Sequence, residues 1–319
     1  MKYASIDIGT NTLRLLIAEP DGAKLKPLIY KRAITRLGGS YTEEGGIDKL
    51  SAKRTVDALV DFKKIISENK ITEVTAVATS VVRRAANRQW FLDEVKKKAG
   101  IEISVISGDE EARLSLLGVL SVIEDKSEKQ VVIDIGGGST EFIFTTGLEM
   151  HGAWSMEMGV VHLTENHLKS DPPKKTELQA LEKEIERVIS ELKGLMLRGG
   201  IYPEDYSSRR GATFIGTAGT ITTLAAMDQN LEVYDRDRIN NYRLSKKRIQ
   251  EIYEYLVSLT IKERSEVLTL EKGREDLIIP GSAITLFVMD SFGFDEIKVS
   301  DAGLLEGIIL NRIDRIKTV

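Results

Sequence analysis

Apolar residues along this chain recur with two periods, and the two alternate from one end to the other. Short apolar runs at 3–8, 13–18, 73–79 and 131–135 are bounded by Gly, Pro or polar residues and predict buried strands. Ile101, Ile103 and Val105 alternate and add another, and 142–144, 214–216 and 297–299 predict three more. Elsewhere the spacing turns helical. Val56, Leu59, Val60, Phe62, Ile65 and Ile66 predict a helix over 51–67. Asn87 as N-cap and Gly100 as C′ residue bracket a helix containing Trp90, Phe91, Leu92 and Val95. After the Ser107-Gly108 break a helix runs from Asp109 to near Ile123. Thr176-Glu177-Leu178-Gln179 reads as a capping box for a long helix striped by Leu178, Leu181, Ile185, Ile189 and Leu192. Residues 245–258, 281–292 and 303–316 predict further helices, Pro20-Asp21-Gly22 a turn and Asp171-Pro172-Pro173 a loop. Strands and helices interleave throughout, so the fold class is α/β. The polar stretch 124–130 marks a boundary.

One pattern occurs twice. Ile6-Asp7-Ile8-Gly9-Thr10-Asn11-Thr12 returns as Ile133-Asp134-Ile135-Gly136-Gly137-Gly138-Ser139-Thr140-Glu141, each time followed by a second apolar run. A single Asp-x-Gly after a strand is an ordinary hairpin; two copies, each opening a candidate domain, point to duplication of a phosphate-binding hairpin. Glycine lets backbone approach a ligand, and successive amides in a tight turn form an anion nest. Thr10, Thr12, Ser139 and Thr140 can add hydroxyl donors, with Asn11 and the glycines lining the turns. Asp7 and Asp134 would repel phosphate, so their useful role is to hold a divalent cation, and Glu141 can join them. The sequence contains no Gly-x-x-x-x-Gly-Lys-Ser/Thr loop. A third Gly-rich turn, Gly216-Thr217-Ala218-Gly219-Thr220, lies between a strand and a helix and is either an anion site or tight packing.

Composition narrows the chemistry. The 319 residues are 42% hydrophobic and 29% charged, with a net charge of −4, so a polyanion must be held by a local cluster rather than by the overall field. No cysteine is present, which excludes a disulfide scaffold, a thiol nucleophile and a Cys-ligated zinc. His151, His162 and His167 have no metal-type spacing and read as structural or exposed. Lys96 to Lys98 and Lys174-Lys175 lack interleaved aromatics and read as solvated faces, so nucleic acid is not an expected partner. Nothing resembles a membrane span or a signal peptide, and a cytoplasmic location is expected.

Two such hairpins with a later Gly-Thr-Ala-Gly-Thr turn resemble the actin-like ATPase superfold. Ser107-Gly108-Asp109-Glu110-Glu111-Ala112-Arg113-Leu114 followed by Asp134 to Glu141 narrows this. Ala78-Thr79 with Arg83, Pro280-Gly281 and Ser300-Asp301-Ala302-Gly303-Leu304-Leu305-Glu306-Gly307 extend it in order along nearly the whole chain. Together they resemble the exopolyphosphatase and guanosine pentaphosphate phosphatase family, Ppx/GppA. The resemblance implies two actin-like (ribonuclease H-like) domains, 1–124 plus 301–319 and 125–300, with an active-site cleft between them and the C-terminal helix returning to the first. It implies release of terminal phosphate from polyphosphate or pppGpp with Mg²⁺ or a similar ion. Glu111 maps onto the catalytic glutamate and Arg83 onto the arginine of the Ala-Thr motif. On this reading Glu111 orients and deprotonates the attacking water. The loop amides, Mg²⁺ at Asp134 and Glu141, and Arg83 neutralise charge. Gly9, Thr10, Asn11, Thr12, Gly136, Gly137, Gly138, Ser139, Thr140, Gly216, Thr217, Gly219 and Thr220 are the candidate phosphate-binding residues.

The chain departs from the family pattern in having Leu305 where an arginine is usual, which leaves any contact made there in question. Longer members continue past the equivalent of Val319 with a helical region, so long-chain handling that depends on it is expected to be absent. Glu110 is the fallback base, Arg84 the surface-facing neighbour of Arg83, and Arg274 and Asp276 candidate lining residues. Three other classes compete: an ATP-dependent kinase of the same superfold, a non-catalytic polyphosphate or alarmone-binding protein, and a filament protein. Against the kinase, residues 221–227 (Ile-Thr-Thr-Leu-Ala-Ala-Met) read as helix core rather than an adenosine pocket. A homodimer is compatible with the sequence, which leaves the oligomeric state and the choice between polyphosphate and pppGpp open.

Overall fold

The computed structural model describes residues 1–22, 24–42, 44–124, 129–267 and 272–317, with side chains to Arg315. The expected boundary at 124–130 falls in part on 125–128, outside the described residues. The chain divides into two compact units, Met1–Ser121 with Ala302–Val319, and Val122–Asp301.

The first unit opens with β1 (Tyr3–Ile8), β2 (Thr12–Asp21) and β3 (Lys24–Ile34), an antiparallel meander. It continues through α1 (Lys49–Glu68), β4 (Glu73–Ala78), α2 (Ser80–Arg84), α3 (Arg88–Ala99), β5 (Ile103–Val105) and α4 (Gly108–Val122). The sheet order is β3-β2-β1-β4-β5, with β1–β4 and β4–β5 parallel. β1 is central and buried on both faces, hence its uninterrupted apolar character. β3 is the edge, and the apolar pattern does not reveal it: its exposed residues include Lys24, Lys26, Lys31 and Arg32. Charge on an edge discourages further strand pairing. Pro27 sits there opposite a register shift at Ile17/Ala18, where a missing N–H is tolerated.

The second unit repeats this plan. β6 (Lys129–Ile135), β7 (Thr140–Thr146) and β8 (Glu149–Met156) form the meander. Next come α5 (Val160–His167), α6 (Lys175–Arg198), β9 (Thr213–Thr217), α7 (Ala218–Asp228), α8 (Arg236–Ile239), β10 (Arg243–Ser245), α9 (Lys246–Ser258), α10 (Ile261–Arg264), α11 (Ile278–Phe292) and β11 (Glu296–Val299). Its order, β10-β11-β9-β6-β7-β8, equals that of the first sheet with one antiparallel edge strand added. Each unit therefore has the actin-like core. Phe142, Phe144 and Phe214 fill the second core, with α6 contributing Leu181, Ile185, Val188, Ile189, Leu192 and Met196.

The closing helix α12 (Leu304–Lys317) belongs to the first unit. Leu305, Ile309 and Ile313 pack on Tyr3, Leu16 and Ala18, while Leu304 and Ile308 meet Val77 and Leu114. Among the helix starts that differ from expectation, two have a visible cause. The α6 cap is Lys174, whose N–H donates to Glu177 at 3.0 Å, so Thr176 lies inside the helix. α11 begins three residues early because Pro280, still in the first turn, needs no N–H there.

Candidate active site

The two repeated hairpins have the same backbone. Gly9 N–H donates to Thr12 O at 3.1 Å, and Gly136 N–H to Ser139 O at 2.9 Å. A Cβ would stand 3.0 Å from Thr12 O in the first turn and 2.9 Å from Ser139 O in the second, so both turns are tight against a side chain. Each turn is also gripped by the segment after the third strand. Gly38 N–H donates to Thr10 O at 2.8 Å, and Thr35 and Arg36 N–H to Asn11 O at 3.1 and 2.9 Å. In the second unit Val160 and Val161 at the start of α5 donate to Gly136 O and Gly137 O at 3.1 and 2.9 Å. Carbonyls held this way are occupied within the protein, which suits a loop meant to meet an anion with its amides. Gly159 makes the approach of α5 feasible: a Cβ there would lie 2.3 Å from Gly137 O.

Across the strands the hairpins diverge. Asp7 pairs in register with Arg14, and Asp134 with Glu141. Arg14 donates to Asp7 Oδ2 through Nε at 2.8 Å and Nη2 at 2.5 Å. The other Asp7 oxygen is buried without a hydrogen-bond partner. With a guanidinium already against it, Asp7 has a positive partner within the chain, which competes with the divalent cation expected there. Asp134 and Glu141 are both buried and face each other across β6 and β7. Two carboxylates are the donor set that a magnesium-type cation takes alongside water and phosphate oxygens. Among the described residues no group of three or more His, Cys, Asp or Glu side chains is arranged to hold a metal.

Two hydroxyls expected to meet phosphate are committed inside the protein. Ser139 Oγ donates to Glu141 Oε1 at 2.8 Å and Thr140 Oγ1 to Met158 O at 2.5 Å. A hydroxyl has one proton to give, so neither serves as a phosphate donor in this arrangement. Asn11 Nδ2 lies 3.3 Å from Thr12 Oγ1.

Glu111 occupies the first turn of α4, with its N–H on Ser107 O at 3.0 Å. Only 8% of it is exposed. Arg83 from α2 donates through Nη1 to Glu111 Oε2 at 2.9 Å and to Ile106 O at 3.0 Å. The two residues singled out separately in the sequence are thus direct partners, and the pair fixes the carboxylate. Glu110 points elsewhere: it accepts from Arg113 at 2.8 and 2.9 Å, and that hydrogen bond holds its carboxyl below the usual range. It is a helix-surface pair and a weak candidate for the base.

In the third turn packing dominates. A Cβ on Gly216 would lie 2.5 Å from Ile297 Cδ1 and 3.0 Å from Ile221 Cγ1, so that glycine lets β11 and α7 side chains pack over β9. Thr220 is buried against Gly281 of α11, where a Cβ would come within 2.4 Å of its hydroxyl. Thr217 closes β9 and is buried. Ala218 adopts the left-handed region at φ 68°, uncommon for a residue with a Cβ. Gly219 lies under Arg274: a Cβ would sit 1.1 Å from Nη1. That glycine admits a guanidinium, a role the motif alone does not disclose. Leu305 is buried against β1 and β2 and fills core space. Asp301 of the same motif is bonded by the Tyr234 hydroxyl at 2.6 Å and by Arg236.

The model of the Ppx/GppA phosphatase family matches residues 16–316. The bifunctional 3-dehydroquinate synthase/phosphatase of Fusobacterium nucleatum is 34% identical over 98% of this chain, which spans 46% of that relative. Exopolyphosphatase 2 of Mycobacterium tuberculosis is 31% identical over 97% of this chain and 98% of its own length. A guanosine-5'-triphosphate,3'-diphosphate pyrophosphatase of Aliivibrio fischeri is 27% identical over 99% of this chain and 60% of its own. The crystal structure of the Aquifex aeolicus Ppx/GppA family member superposes with a TM-score of 0.81 at 33% identity, covering 99% of this chain and 98% of that one. Among the described residues no helix is long and apolar enough to cross a membrane.

Proposed function

The chain belongs to the Ppx/GppA phosphatase family, and from that premise we propose that it is a cytoplasmic phosphohydrolase that removes the terminal phosphate of inorganic polyphosphate or of pppGpp, with Glu111 as general base. The observation that carries this is the buried Glu111 carboxylate, fixed by Arg83 at 2.9 Å in the first turn of α4. An immobilised carboxylate is what a water nucleophile needs in order to be oriented and deprotonated. The water oxygen bonds to the terminal phosphorus and its proton passes to Glu111. The bridging P–O bond breaks, and the shortened phosphate chain leaves. Phosphoryl transfer asks mainly for positioning and charge neutralisation. The tight turns at Gly9 to Thr12 and Gly136 to Ser139 offer amides for that purpose, and Arg83 offers a guanidinium. Asp134 and Glu141 would hold Mg²⁺ or a similar ion, which when bound neutralises phosphate charge.

The test is phosphate release from polyphosphate and from pppGpp with Mg²⁺, comparing the wild type with Glu111→Gln. The variant should lose about 10²–10⁴-fold in kcat with KM little changed. Full activity in the variant would remove Glu111 from the role. ADP formation from ATP and an acceptor would point to the kinase class instead. Tight polyphosphate binding without turnover would point to a sensor.

A further inference from the structure

The row that begins at Asp134 and Glu141 continues one strand further, to Ser155 of β8, which pairs in register with Glu141. Ser155 Oγ donates to Glu141 Oε1 at 2.7 Å. Ser139 Oγ reaches the same oxygen from the turn at 2.8 Å. Two hydroxyl protons, one from the turn and one from β8, therefore converge on one oxygen of a carboxylate that is 1% exposed. Hydroxyl-to-carboxylate bonds of this length are charge-assisted and among the stronger kinds.

The arrangement answers a physical problem. Like charges directly opposite on neighbouring strands destabilise a sheet, and a buried carboxylate without donors costs more still. Left alone, Glu141 would be driven to swing away from Asp134. In the corresponding row of the first unit, Asp7, Arg14 and Arg32, the acid faces no second acid, because the guanidinium of Arg14 stands opposite it.

We propose that Ser155 is a positioning residue that, together with Ser139, sets the Glu141 carboxylate for a divalent cation. The proposal rests on the reading above that Asp134 and Glu141 hold that ion. Outer partners of this kind fix the orientation of a ligand, and their removal costs about 10–100-fold in metal affinity.

The experiment is Mn²⁺ binding by calorimetry to the substrate-free protein, alongside the Mg²⁺ dependence of phosphate release. Ser155→Ala should weaken Mn²⁺ binding and raise the half-saturating Mg²⁺ by about 10-fold or more, while kcat at saturating Mg²⁺ stays within about three-fold of wild type. Ser155→Thr, which keeps the hydroxyl, should restore the affinity. Ser139→Ala should shift it in the same direction, and serves as the readout if Ser155→Ala does not fold. Glu141→Gln is the control. If Glu141→Gln loses Mn²⁺ while the folded serine-to-alanine variant binds it within two-fold of wild type, the positioning role is wrong and the metal reading stands. If Glu141→Gln and Asp134→Asn both bind Mn²⁺ like the wild type, the metal reading fails and this inference with it.

Discussion

The hairpins β1–β2 and β6–β7 share a turn, a register and a supporting loop, yet the position seven residues beyond the strand aspartate carries opposite charge in the two. Arg14 stands opposite Asp7, and Glu141 opposite Asp134. The first pair forms an ion bridge within the chain. The second concentrates negative charge, with serine hydroxyls donating to Glu141; on the proposed reading a cation completes it. The duplicated scaffold thus carries opposite charge patterns in its two rows. The turn chemistry is common to both because it depends on backbone spacing, whereas the charge of the row depends on a single side chain.

Exchanging that side chain should break the comparison most severely. Glu141→Arg, which gives the second row the first row's charge pattern, should cut phosphate release by about 100-fold or more and abolish Mn²⁺ binding. The first row should respond in stability instead. Arg14→Ala leaves Asp7 buried beside no guanidinium, at a cost of about 3–5 kcal/mol, visible as a lower urea midpoint. A smaller effect is expected at the support of the second turn. Gly159→Ala pushes a Cβ into the backbone of Gly137 and Gly138, costing about 2 kcal/mol and slowing phosphate release, with the melting temperature and kcat as readouts. Leu305→Ala should destabilise the first unit by about 2–3 kcal/mol while leaving kcat per folded molecule unchanged; a selective loss of kcat would mean the leucine does more than fill the core. Least affected should be Glu110→Gln, which removes an i,i+3 pair worth under about 0.5 kcal/mol and should leave phosphate release within about two-fold.

Much of the fold was legible because its central strands are buried on both faces. β1, β6 and β9 read as continuous apolar runs, and the large amphipathic helices α1 and α6 as stripes. The apolar pattern does not reveal β3 and β8, each an edge strand of its sheet, because much of their length faces solvent and neither shows clean alternation. α5 was missed for lack of length. The candidate residues Glu111, Arg83, Asp134 and Glu141 could be named from motifs. Their partnerships could not, because Arg83 and Glu111 are 28 residues apart and Glu141 and Ser155 are 14. The third turn, read as either an anion site or tight packing, brings Gly216 against Ile297, Thr220 against Gly281 and Gly219 under Arg274, which lies 55 positions away and is invisible to local spacing.

By itself the sequence determined the α/β class, the duplication and the identity of the acid and glycine positions, since these follow from periodicity and residue type within a few neighbours. Only tertiary structure decided the charge that each strand aspartate meets. That charge turns on what faces each aspartate across the sheet, and strand register, set by the whole hydrophobic pattern, brings Arg14 to one and Glu141 with Ser155 to the other.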